Sequence, residues 1–118
     1  MTGARVVKTG AMTIPTVNAT DLTDGVVLLD VREPDEWAAG HAPGALHVPL
    51  GDVPGRLGAL PQGADVVVVC HAGGRSAKAT AWLLEQGYEC RNLTGGMVAY
   101  AAAGLPLESD TGRPPIVD

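Results

Sequence analysis

Four consecutive valines, Val66 to Val69, constrain the fold of this 118-residue chain more than any other feature. A strand that is apolar at every position has no solvent face, so it belongs in the interior of a parallel sheet covered by helices on both sides. The run ends at Cys70, a short loop His71-Ala72-Gly73-Gly74 follows, and Arg75 to Gln86 reads as helix. The thiol therefore stands where a strand ends and a helix begins. There the first helical amides lack intrahelical partners and the helix dipole is positive, so anions and thiolates are favoured. Cysteines in such settings ionise with pKa values of roughly 3.5–7.5, against about 8.5 for a free thiol. Gly73 and Gly74 allow the loop backbone a positive φ that turns its N–H groups inward.

Strand and helix signals alternate through the rest of the chain. Short strands are expected at Pro15 to Asn18 and Ala45 to Val48, a buried strand at Val26 to Asp30, and a fifth at Cys90 to Leu93. Helices are expected near Thr20 to Thr23, from Pro34 to the stop at Gly40, from a cap at Asp52 through Leu60, and from Met97 to Ala103. This order predicts an α/β fold, a five-stranded parallel sheet flanked by helices on both faces. The expected layout is a lead-in over residues 1–12, one domain over 13–108 and a polar, proline-bearing tail over 109–118.

Several classes are disfavoured. A net charge of −5 argues against nucleic-acid binding. No apolar run reaches the ~20 residues of a membrane span, and MTGARVVKTG has no apolar signal core, so no membrane partner is expected. Two cysteines are too few for a disulfide framework and point to a reducing, cytoplasmic setting. No histidine or cysteine spacing suggests a metal site, and no glycine pattern suggests a dinucleotide; no cofactor is expected.

The other polar residues divide between chemistry and support. An arginine is unfavourable at the positive end of a helix, so Arg75 makes sense if an anion sits beside it. His71, the next residue along the chain, should point away from Cys70 and reads as an exposed loop residue. Asp30 and Arg32 can form an ion pair beneath the loops, and His41 reads as a loop-bracing hydrogen-bonder. Cys90 starts its strand and should lie on the order of 10 Å or more from Cys70, too far for a disulfide.

Leu28 to Leu50 (LLDVREPDEWAAGHAPGALHVPL), Val66 to Ala77 (VVVVCHAGGRSA) and Gly87 to Tyr100 (GYECRNLTGGMVAY) together resemble the single-domain rhodanese family of sulfurtransferases. The resemblance covers about Val17 to Leu107. It implies that Cys70 becomes a persulfide carrying one transferable sulfur, with His71, Ala72, Gly73, Gly74 and Arg75 lining a cradle that Arg75 closes. It places Asp30, Arg32 and His41 as framework near the site. It implies a small-molecule sulfur donor such as thiosulfate and a thiophilic acceptor, cyanide or a thiol, with a protein donor or acceptor as an alternative. Ala72 and Gly73 are neutral where thiosulfate users in the family often carry basic residues, so poor use of thiosulfate is expected. Three other readings stay open: a phosphatase-like oxyanion enzyme, whose loops resemble C-x5-R rather than the C-x4-R found here; a sulfur carrier loaded by a partner; and a non-catalytic binding module.

Overall fold

The computed structural model describes residues 13–118, and the lead-in expected over residues 1–12 lies outside them. Five strands form one all-parallel sheet: β1 (Thr16–Val17), β2 (Val26–Asp30), β3 (Leu46–His47), β4 (Asp65–Val69) and β5 (Cys90–Leu93). Their order is β1-β5-β4-β2-β3, which puts the valine strand at the centre. Three α-helices accompany them: α1 (Pro34–Ala39), α2 (Gly74–Glu85) and α3 (Gly96–Ala102).

The alternation of side chains along β4 divides the core in two. Val66, Val68 and Cys70 face one side, where they meet Ala79 and Leu83 of α2 together with Val53 and Leu60. Val67 and Val69 face the other, against Met97 and Tyr100 of α3. No residue from Val66 to Cys70 is more than 5% exposed, as an all-apolar central strand requires.

The structure departs from the sequence reading at the edges. β1 and β3 are two residues long rather than four, because each has a partner on one side only. The segment Leu50–Ala59 is a 3-10 helix broken at Arg56, not a helix capped by Asp52. Three glycines and a proline in LGDVPGRLGA give it too little helix propensity for a regular α-helix. Ala19–Asp21 is likewise a single 3-10 turn.

Residues 109–118 do not project as a free tail. The Asp110 and Ile116 amides donate to Ala38 O and Ala39 O at the end of α1, at 2.8 and 2.9 Å. Val117 packs against the core on the α3 side of the sheet. Gly40 permits this approach, since a Cβ there would stand 2.9 Å from the Ile116 carbonyl carbon. Among the described residues no helix is long and apolar enough to cross a membrane.

Candidate active site

The site is built around the Cys70 sulfur, at the carboxyl end of β4 and the start of α2. Gly73, at φ +113°, turns the chain so that its own amide donates to Cys70 Sγ at 3.1 Å. Ser76 Oγ donates to the same sulfur at 3.3 Å. Burial pushes the thiol pKa up, but the Ser76 hydroxyl and the Ser76, Gly73 and Arg75 amides outweigh it, and the result lies below the ordinary thiol value. Cys70 is only 1% exposed, so these hydrogen bonds favour its thiolate against the cost of burial.

A second contact fixes the loop from behind. The Met97 amide donates to Cys70 O at 2.8 Å and the Val98 amide to His71 O at 3.0 Å. In a trans peptide the N–H points opposite to the C=O. Anchoring these two carbonyls on α3 therefore aims the His71 and Ala72 amides away from α3. Gly96 makes the approach possible: at φ +58°, a Cβ on it would stand 2.6 Å from His71 O and closer still to Cys70 O. Gly96→Ala is therefore expected to cost more than about 1 kcal/mol from backbone conformation alone, with the steric overlap adding to it. It should also raise the Cys70 pKa by displacing the loop. Urea midpoints together with thiol titration check both effects, and an unchanged titration would mean that the α3 contact does not shape the cradle.

Arg75 differs from expectation. Its guanidinium does not stand free at the mouth of the cradle to receive an anion. It binds the Glu36 carboxylate through two hydrogen bonds of 2.8 and 2.9 Å. The anion that offsets an arginine in the first turn of α2 is thus a side chain from α1, 39 residues away. The Arg75 hydrogen bonds hold the Glu36 pKa down at about 2, and Glu36 in turn raises that of Arg75. Glu36 also accepts from the Glu33 amide at 2.9 Å, completing a reciprocal cap on α1. Arg75 still acts on Cys70 by charge at a distance.

The remaining predicted residues fall as follows. His71 is half-buried rather than exposed, while Ala72 and Gly74 are exposed. Asp30 and Arg32 form a buried pair at 2.7 Å. Arg32 also donates to Glu36 O at 3.3 Å and Gly40 O at 2.8 Å, tying the loop after β2 to both ends of α1. His41 is buried; its Nδ1 lies 2.7 Å from Trp37 O, its ring stacks on Trp37, and its Nε2 is 3.3 Å from a Glu108 carboxylate oxygen. It braces α1 and the chain near residue 108 and does not reach Cys70.

Cys90 pairs in register with Val66, four residues before Cys70, a separation of about 13 Å at ~3.3 Å per residue. Burial pushes its pKa up to about 11. Alkylation by iodoacetamide should therefore modify Cys70 first, with a pH midpoint below that of a free thiol, and leave Cys90 unmodified at neutral pH. Peptide mapping after a pH series measures this; equal labelling of the two would contradict it.

The sequence reading missed Ser76 and Glu36. Ser76 was within reach: with Ala79, Thr80 and Leu83 it forms the buried face of α2 at helical spacing, and a serine on such a face needs a polar partner. Glu36 carried no such signal, because its partner is distant in sequence. Among the described residues no cluster of acidic, histidine or cysteine side chains could hold a metal ion.

Comparison with known proteins agrees with this architecture. The family model for the rhodanese-like domain matches residues 17–103. A sulfurtransferase of Allochromatium vinosum is 43% identical over 91 residues, covering 76% of this chain and 85% of that protein. The thiosulfate sulfurtransferase GlpE of Pseudomonas fluorescens is 34% identical over 102 residues, covering 85% of this chain and 93% of its own length. The crystal structure of a rhodanese-related protein from Thermoplasma volcanium superposes with a TM-score of 0.76 at 28% identity, covering 80% of this chain and 97% of that one. With its five-stranded parallel sheet and its cysteine at the end of the central strand, this chain belongs to the rhodanese-like domain family.

Proposed function

We propose that this protein is a sulfurtransferase that carries sulfane sulfur as a Cys70 persulfide. The observation that carries the reading is the Cys70 sulfur itself, receiving the Gly73 amide and the Ser76 hydroxyl at the start of α2. In the first half-reaction the Cys70 thiolate attacks the outer sulfur of a donor. With thiosulfate, a new S–S bond forms on Cys70, the donor S–S bond breaks, and sulfite leaves with the bonding pair. The persulfide anion then replaces the thiolate as the charge that the amides and Ser76 hold. In the second half-reaction a thiophile attacks the outer sulfur and Cys70 leaves as thiolate. Cyanide gives thiocyanate in this way, and a thiol gives a persulfide. The cycle is covalent catalysis in two steps, needs no cofactor, and suits a reducing compartment, which keeps a nucleophilic thiol free.

The test is intact mass. Incubation with thiosulfate should add one sulfur atom to Cys70, and cyanide should remove it. A Cys70-dependent phosphatase rate without any sulfur adduct would overturn the reading. Because Glu36 occupies Arg75, loading by thiosulfate should be slow. Glu36→Gln keeps a cap for α1 but removes the competing carboxylate. It is expected to speed loading about tenfold or more, the scale of one charge-assisted hydrogen bond of roughly 1.5–3 kcal/mol. Single-turnover loading of the two proteins compares them, and a slower variant would mean that Glu36 supports the cradle more than it competes for Arg75.

A further inference from the structure

The surface beside the cradle loop has a chemistry of its own. Among the described residues only two large apolar side chains are notably exposed, Val98 at 45% and Ile116 at 55%. Both stand beside the cradle loop: the Val98 amide holds His71 O, and Ile116 lines the same cavity as His71. That cavity has a volume of about 230 Å³ and is also lined by Asp35 and Asp118, which make no ion pair among the described residues. The two arginines nearby are committed, Arg32 to Asp30 and Arg75 to Glu36. Lys78 lies one turn along α2 from Arg75 and is exposed. The cavity thus sets two carboxylates free of ion pairs among the described residues, Asp35 and Asp118, beside His71 and the apolar Ile116, and is smaller than the ~300–1,000 Å³ of an ordinary small-ligand pocket.

Resting on the sulfurtransferase reading, we infer that this surface docks a protein acceptor: a cysteine on a basic surface with apolar neighbours. Charge complementarity selects the basic surface, since Asp35 and Asp118 repel anionic acceptors and attract lysine or arginine. Val98 and Ile116, both next to the loop, supply apolar contacts. The transfer balances without any oxidant or reductant. The acceptor thiolate forms a bond to the outer persulfide sulfur, the Cys70 S–S bond breaks, and Cys70 leaves as thiolate while the acceptor becomes the persulfide.

The experiment uses the full chain loaded on Cys70 and two synthetic peptides. Each has one cysteine flanked by leucines, with lysines in one and glutamates in the other; 2-mercaptoethanol is the small neutral control. Sulfur should reach the lysine peptide roughly tenfold or more faster than the glutamate peptide, the scale of steering by opposed charges. The advantage should shrink as salt rises. Ile116→Ser and Asp118→Asn should each reduce it while leaving discharge by cyanide unchanged. Binding is measured separately, by calorimetry of Cys70→Ser protein with cysteine-to-serine peptides, and Val98→Ser should weaken it. Normal discharge by cyanide with equal rates for both peptides, or calorimetry in which neither peptide is preferred, would overturn the docking inference alone. Absence of any Cys70 persulfide would overturn the sulfurtransferase reading, and the calorimetry would still decide the surface.

Discussion

Cys70→Ser is expected to abolish sulfur transfer, and Cys90→Ser to leave it within about twofold of wild type. A serine oxygen in the same cradle cannot hold a transferable sulfur, so no covalent intermediate forms and the two-step route closes. Cys90 has none of the required features: it lies at the far end of its strand, next to Val66 in register, and burial keeps its thiol protonated with a pKa of about 11. Both variants should fold. The Cys70 site keeps its hydrogen-bonding neighbours with oxygen in place of sulfur, and Cys90 makes only a long contact of 3.8 Å from its sulfur to Thr80 O. Thiocyanate production and intact mass after donor treatment measure the outcome. Equal loss in both variants, with both folded by circular dichroism, would show that the far cysteine takes part.

The second large effect is on stability. Arg32→Met should destabilise the fold by about 3–5 kcal/mol, because it leaves the Asp30 carboxylate buried without its partner. The pair is nearly dry, with side chains 2% and 1% exposed, and Asp30 also receives the Arg32 amide at 3.0 Å. Arg32→Met combined with Asp30→Leu should recover much of the loss, since removing both charges removes the unpaired ion. The recovery should be incomplete, because the carbonyls of Glu36 and Gly40 still lose their donor. Urea denaturation of the two single variants and the double variant completes the cycle. Strictly additive losses would mean that the two charges do not stabilise one another.

These two cases also separate what is local from what is not. The ion pair of Asp30 and Arg32 is two residues apart at the end of a buried strand, so its formation was legible in the sequence. The same holds for the cysteine between an apolar strand and a glycine-bearing helix start, and for Cys90 lying far from it. The edge strands and the Leu50–Ala59 segment were less legible. Their extent depends on how many neighbours each has in the sheet and on weak propensity, not on a periodic pattern.

By itself, then, the sequence determined the central strand, the parallel sheet and the place of the Cys70 sulfur, because a run of valines, a helix start and a glycine turn act over a few residues. Tertiary structure decided what surrounds that sulfur. Only the folded chain brings Glu36 to Arg75, fills the seat an external anion was expected to take, and turns an arginine at a helix start into half of an internal pair. Only the fold sets the amides of Met97 and Val98 behind the loop and ties Asp110 and Ile116 to the end of α1. Those contacts join segments far apart in the chain. Their partners are fixed by how helices pack across one sheet, which no local pattern of residues encodes.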